Sequence, residues 1–377
     1  MSVSYLYVHI PFCLRKCHYC AFDSRVADQA LFSPYVDALQ RELRLTMMSH
    51  QLSPQTSLFF GGGTPTVIPT PLLCDLVTTT LGLVSPSPGI EVTIEANPGT
   101  VDLQSLRSLL AAGVNRLSLG VQSLADDDLR SLGRVHDAEQ ALRVYREARK
   151  AGFTNINLDL MYGLPGQTRE RWRAVLTTAL NLEPEHLSIY QLTPEEGTPL
   201  WQQWSQGNIA LAADEEVAAM DEITEELCTG SGLLPYEISN YARQGRECRH
   251  NCNYWMNGEY YAVGAAAVSC VYGKRERRVA DPRDYIELVA RGQSPVIEEE
   301  TLPFEESFRE SVVMALRLRS GAELERLRSR YGIDVFGYYG EILQTLVARD
   351  LLEITATHIR LTALGRRFAN IVMGELV

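Results

Sequence analysis

The chain has no long apolar run. Its longest uncharged, mostly apolar stretch, Tyr260 to Gly273, falls short of the ~20 residues that a membrane-spanning helix needs, and it contains Gly264 followed by alanines. Cysteine is sparse, eight in 377 residues, which excludes a disulfide-stapled scaffold. Positive charge is not in excess. Lys and Arg total 35 against 47 Asp and Glu, a formal net charge of −12, so the surface as a whole would repel phosphate and no nucleic-acid partner is expected. No basic segment precedes the short apolar stretch in Met1 to Pro11, so no secretory signal is read there and a cytoplasmic protein is expected. No internal repeat or low-complexity tract is found. What is present, 45% hydrophobic and 22% charged residues, is ordinary for a globular chain. At ~150 residues per domain, the length predicts two or three domains.

The first ~190 residues alternate short apolar runs with amphipathic segments. Strands are expected at Tyr5–Ile10, Ser57–Phe60, Glu91–Ala96, Arg116–Gly120, Asn155–Tyr162 and His186–Leu192. Ser33-Pro34 reads as an N-cap with proline in the first turn. Asp137-Ala138-Glu139-Gln140 reads as a capping box, and Gly152 as the end of that helix. Ala138, Ala141, Leu142, Tyr145 and Ala148 form its apolar stripe. Such alternation predicts parallel βα units, a barrel-like or open α/β sheet whose ligands gather at the C-terminal strand ends. Beyond residue 200 the rhythm changes. Asp214 to Leu227 is an acidic helical segment, and 234–273 is rich in Tyr, Asn, Gly and Cys without a helical period. Helices at 305–319, 322–331 and 335–350, a hairpin at Leu351–Thr362 and a last helix suggest a winged helix. Residues 308–377 carry ten Arg against eight Asp and Glu, too weak a charge for DNA binding, so a packing or partner-binding role is expected.

The most specific signal is His9-Ile10-Pro11-Phe12-Cys13-Leu14-Arg15-Lys16-Cys17-His18-Tyr19-Cys20, with three cysteines at C-x3-C-x2-C spacing after the first strand. Thiolates this close suit an iron–sulfur cluster or zinc. Three thiolates on a cubane leave one iron free, whereas zinc would need a fourth ligand, for which His9 and His18 are available. Several polar residues follow strand candidates: Gly61-Gly62-Gly63-Thr64, Glu95, Gln122, Arg134 and Asp159. Singly, each reads as a turn, cap or structural partner. Together they fall where a site at a barrel mouth needs them. Cys248, Cys252 and Cys270 are read as free thiols, their spacing being a weak signal for a second cluster.

The cysteine spacing and the Gly61–Pro65 turn resemble the radical S-adenosylmethionine superfamily. The further motifs resemble its coproporphyrinogen-dehydrogenase-like branch over nearly the whole chain. The resemblance implies a partial (β/α)6 barrel of TIM type over residues 1–233. It further implies an extension at 234–303 and a small α+β, winged-helix-like domain at 304–377. A [4Fe–4S] cluster would be held by Cys13, Cys17 and Cys20, with S-adenosylmethionine on the fourth iron. Tyr7, Gly62, Gly63, Thr64, Glu95, Gln122, Arg134 and Asp159 would contact that cofactor, and Tyr19 would lie near its adenine. Two features separate the subgroups of this branch. The decarboxylating enzymes carry a further cysteine where this chain has Phe22. The heme-chaperone subgroup carries H-N-x-x-Y-W, which here reads His250-Asn251-Cys252-Asn253-Tyr254-Trp255. That subgroup also has a histidine in a glycine-rich stretch where this chain has Val268. The expected function is therefore binding of heme and its delivery to an acceptor protein, a respiratory protein being one candidate. His250 would be an iron ligand, and Tyr254 and Trp255 flat surfaces for the macrocycle. The alternative is an enzyme acting on a tetrapyrrole, by oxidative decarboxylation or methyl transfer. A monomer or a dimer is expected, with no membrane span but with peripheral membrane contact allowed.

Overall fold

A computed structural model describes residues 3–49 and 54–377. Met1 and Ser2, where the reading of the N-terminus begins, lie outside the described residues. Six parallel strands form the core of the fold: β1 Tyr5–Ile10, β2 Gln55–Gly62, β3 Pro86–Ala96, β4 Arg116–Gln122, β5 Ile156–Tyr162 and β6 His186–Gln191. They pair in chain order. Tyr261–Val263 adds a parallel strand beside β1, while Asn240–Ala242 and Leu234–Pro235 add antiparallel strands beyond β6. Among the described residues the nine-stranded sheet does not close into a full barrel.

Side-chain alternation explains how the sheet divides its two faces. Leu6, Val8, Leu58, Phe60, Ile94, Leu117, Leu119, Leu158, Leu160 and Leu187 join one apolar core with helix residues such as Leu39, Leu73, Leu109, Tyr145 and Trp172. The intervening positions point the other way and are polar or aromatic: Tyr7 and His9, Ser57 and Phe59, Arg116 and Ser118, Asn157 and Asp159, His186 and Ser188. Burying that second set requires partners, and they are present. Asn157 Nδ2 donates to Ser118 Oγ and to Asp159 Oδ1, both at 2.7 Å, and His186 lies 2.7 Å from Asn157 Oδ1 and 2.9 Å from the Tyr236 hydroxyl.

The helix caps fall partly as expected. Asp137 accepts from the Gln140 amide, and Gly152 ends that helix at φ 113°. Ser33 does not cap, because the first long helix already begins at Phe32 after a short 3-10 turn capped by Asp28. The acidic helix runs from Asp214 to Gly230. The segment 234–273 does hold one short helix, Arg249–Trp255, contrary to the aperiodic reading. Its buried residues include His250 and Asn253, whose partners are polar, so it shows no apolar stripe.

Residues from Phe308 onward form a separate apolar core. The helix expected at 335–350 breaks at Gly340 into Val335–Tyr339 and Glu341–Ala348, and a three-stranded sheet carries the wing. Among the described residues, no helix is long and apolar enough to cross a membrane.

One helix ties the front of the chain to its middle. Tyr35 donates from its hydroxyl to the His9 carbonyl at 2.9 Å and accepts from the Ala265 amide at 2.8 Å. Glu42, buried, accepts from Arg278, from Tyr285 and from the Gly264 amide. Gly264 stands at φ +106°, and a Cβ there would lie 2.5 Å from the His9 carbonyl oxygen and 2.9 Å from the Tyr35 hydroxyl. Gly264→Ala should therefore lower stability by more than the ~1–3 kcal/mol of backbone strain alone, read from urea unfolding midpoints.

Candidate functional site

The loop after β1 is held from several sides. Phe12–Cys13 pairs with Arg25–Val26, and the Ala27 amide donates to the Cys13 carbonyl at 2.8 Å. The turn after β2 packs directly on it: the Gly63 amide donates to the Ile10 carbonyl at 2.8 Å and the Thr64 amide to the Phe12 carbonyl at 2.7 Å. A Cβ on Gly63 would meet the Phe12 carbonyl oxygen at 2.7 Å and Cys13 Sγ at 3.0 Å, so this contact requires glycine. Farther along, the His18 amide donates to the Leu132 carbonyl, and Tyr19 packs on a small apolar cluster of Leu132, Met161, Leu164, Leu192 and Leu200.

Cys13, Cys17 and Cys20 thereby line one cavity, of about 670 Å³ and open to solvent, at the C-terminal ends of the strands. Tyr19, Gly62, Gly63, Thr64, Glu95, Gln122, Arg134 and Asp159 line the same cavity. Gln122 reaches it through a bulge in β4, where its backbone takes the left-handed φ of 68°. Ser24, Asn97, Ser118 and Gly120 also contribute to the wall, and sequence reading did not single them out. Asn97 stands two residues after Glu95, and Ser118 shares the alternation of Arg116 and Gly120, so a strand-period signal was available.

The electrostatics of the cavity are distinctive. Burial, reinforced by the neighbouring Asp159, pushes the Glu95 carboxyl up to about 8. Burial also raises Asp159. The Gly62 amide donates to Glu95 Oε2 at 3.1 Å. Burial raises the Cys13 and Cys20 thiols as well. Arg134 supplies positive charge: Nη1 donates to Cys17 Sγ at 3.3 Å and Nη2 to the Gly120 carbonyl at 2.6 Å, while its buried Nε has no partner.

Three thiols on one cavity wall suit a cluster with three protein ligands, and His9, with both ring nitrogens engaged, is not free to complete a zinc site. The His9 imidazole is engaged by the Tyr7 hydroxyl at 3.1 Å and the Asp23 carbonyl at 3.0 Å, and His18 Nδ1 lies 3.2 Å from the Ser131 carbonyl.

Four expected residues lie elsewhere. Tyr7 is not in the cavity wall; its ring neighbours Phe59 and His250, with centroids 6.0 and 6.2 Å away. His250 sits toward the N-terminal ends of the strands. It is 1% exposed, with Nδ1 3.1 Å from Ser57 Oγ and Nε2 3.0 Å from the Tyr254 hydroxyl. Burial, then the charge of Arg116, lowers it to about 3. Both ring nitrogens are thus occupied. Tyr254 stands edge-on to that imidazole, and Trp255 lies under the Arg317 guanidinium at 4.2 Å. Cys248 and Cys252 are free thiols at this helix, and Cys270 is free in the strand Val268–Val271.

With its cysteine loop at the mouth of a six-stranded parallel half-barrel, the chain is a radical SAM protein, as the comparisons show. The model of the Radical SAM superfamily matches residues 7–179, and that of the HemN C-terminal domain matches residues 302–368. The chain is 35% identical over 372 residues to the heme chaperone HemW of Bacillus subtilis (strain 168), covering 98% of each chain. It is 37% identical over 263 residues to the heme chaperone HemW of Escherichia coli (strain K12), covering 70% of this chain and 68% of that one. Among solved structures, the coproporphyrinogen III oxidase HemN from Escherichia coli, a radical SAM enzyme, matches with a TM-score of 0.86. It is 24% identical and covers 100% of this chain and 90% of that one, a likeness of fold. The chain belongs to the HemW family.

A cation bound beside Glu95 would favour the ionised carboxylate, so its binding below pH 8 releases a proton. If S-adenosylmethionine places its ammonium there, its affinity should rise from pH 6 to pH 8, by up to ~10-fold per pH unit, and Glu95→Gln should flatten that rise. Calorimetric titration in two buffers of different ionisation enthalpy reads the proton directly. In the ligand-free chain the same raised value has the opposite consequence. The unfolded carboxyl ionises from about 4.5 and the folded one only near 8, so this group's contribution to stability falls as pH rises through that window.

Proposed function

We propose that this protein binds a [4Fe–4S] cluster through Cys13, Cys17 and Cys20 and S-adenosylmethionine beside it, takes up heme, and delivers the heme to an acceptor protein. The observation that carries this reading is kinship at 35% identity along 98% of a relative named as a heme chaperone. The cavity supports the cofactor half. Its thiols suit three corners of a cubane, and Glu95, Gln122 and Asp159 offer oxygen acceptors for an ammonium or hydroxyl group. When bound, such a cluster supplies an electron to the sulfonium. Phe22, 70% exposed at the rim, stands where a decarboxylating relative would carry cysteine, which favours delivery over turnover.

On this reading His250 ligates the heme iron, with Tyr254 and Trp255 against the macrocycle. Iron can reach Nε2 only if the Tyr254 hydroxyl leaves it. The burial of His250 favours a second reading, in which the Arg249–Trp255 helix plugs one end of the barrel and heme binds elsewhere. Two variants separate them. If His250 is the ligand, Tyr254→Phe frees Nε2 and tightens heme binding several-fold in a Soret titration, while His250→Ala abolishes it. If the helix is a plug, both variants leave the heme titration unchanged and lower the melting temperature. Unchanged absorption on adding heme to the parent protein would overturn the delivery function itself. For the cofactor half, anaerobic reconstitution should give about four irons per chain, and Cys17→Ala should lose them.

A further inference from the structure

Cys13 and Cys17 each receive a side-chain donor, and both donors are held by one residue. Thr64 Oγ1 lies 3.7 Å from Cys13 Sγ, and Arg134 Nη1 lies 3.3 Å from Cys17 Sγ. Asn97 stands between them. Its Nδ2 donates to Thr64 Oγ1 at 2.7 Å, and its Oδ1 accepts from Arg134 Nη2. Because the Asn97 amide donates to Thr64, the threonine hydroxyl must use its own proton elsewhere, and Cys13 Sγ is the acceptor in reach. The acceptor half of the same amide fixes the guanidinium so that Nη1 faces Cys17. The backbone makes room for this arrangement: a Cβ on Gly120 would lie 2.7 Å from Asn97 Oδ1 and 3.4 Å from Arg134 Nη2.

We infer that Asn97 is a positioning residue that aims two hydrogen-bond donors at the sulfurs of the cluster ligands and thereby sets the cluster's reduction potential. The inference rests on the cluster being held by Cys13, Cys17 and Cys20. Donors to a ligating sulfur withdraw electron density from it and stabilise the reduced cluster, so fewer of them means a more negative potential. The two halves of the amide can be tested apart. Thr64→Val removes only the donor to Cys13 without changing charge, and Asn97→Leu removes both bonds of the amide at nearly constant volume. Asn97→Ala loses both.

The test is a redox titration of the anaerobically reconstituted full chain, followed by paramagnetic resonance, with iron content and melting temperature measured alongside. The parent's iron content and signal test the cluster reading alone. The differences between parent and variants test Asn97. The midpoint should move to more negative values in the order parent, Thr64→Val, Asn97→Ala, at equal iron content. Equal midpoints in all three would reduce Asn97 to the residue that opens the turn at Pro98, and would overturn the inference. Should Asn97→Ala fail to take up iron, Asn97→Leu decides: a negative shift supports the role and an unchanged midpoint ends it. If both Asn97 variants lose iron but keep the parent's melting temperature, the amide acts on the cluster ligands. If both lose their fold, its role is structural and the inference fails.

Discussion

The concave face of the sheet carries charge that is largely withheld from water, and much of the surrounding structure follows from that. Arg116 is 2% exposed, and the Coulombic influence of its guanidinium reaches Asp159, Glu91 and Cys248. An isolated charge in such a place would cost several kcal/mol, so each ionisable group needs a partner or must give up its charge. His186 and His250 give it up; burial, with Arg116 adding to it, holds both imidazoles neutral. Glu95 and Asp159 compete instead, each raised by burial, with Asp159 adding to the shift of Glu95. A cation at the cavity floor would resolve that competition. The ligand class the cavity suits is thus already written in the ionisation of its walls.

The same pressure explains why the cysteine loop is so heavily tethered. A loop that must present three sulfurs and keep its own backbone satisfied has few groups to spare. Its carbonyls at Ile10, Phe12 and Cys13 are taken by amides of Gly63, Thr64 and Ala27. Its far end is tied down by the Arg25–Asp281 pair at 2.6 Å, and both partners are about 40% exposed. Ion pairs of that exposure contribute little to stability, so their use here lies in orientation more than in strength. Tyr35 and Glu42 complete the frame by joining the end of β1 to the Gly264 turn through buried hydrogen bonds.

The strands and the cavity were legible for different reasons. The strands announce themselves because Leu6, Val8, Leu117, Leu119 and Leu158 must all reach one apolar core, which imposes a period of two on short runs. The cavity residues were legible because they follow those runs and because their motifs resemble a known family. Asn97 escaped because an asparagine before proline reads as a turn, and nothing in its neighbours says that its amide faces Thr64 and Arg134. The bulge at Gln122 escaped because non-glycine left-handed backbone leaves no mark in composition. The helix Arg249–Trp255 escaped because its inward side chains are polar, so no hydrophobic stripe marks it. Only their partners, Ser57 across the fold and the nearby Glu259 carbonyl, reveal what those side chains need.

The two ends of the barrel also bear on the choice between delivery and turnover. Ser57, which touches His250, and Gly62, which lines the cavity, lie on one strand five residues apart. At ~3.3 Å per residue, that is roughly 16 Å of strand between them. Abstraction of a hydrogen atom needs the reacting atoms nearly in contact, about 3–3.5 Å apart. Side chains and the width of a macrocycle narrow that span: the Phe59 ring stands 5.2 Å from the His250 ring and, with Glu95, crowds the Cβ position of Gly61. The two proposed ligands would thus lie on one face of the sheet as neighbours, with Phe59 between them. Heme iron on His250 is therefore compatible with delivery and with turnover alike, and the argument for delivery rests on Phe22 at the cavity rim.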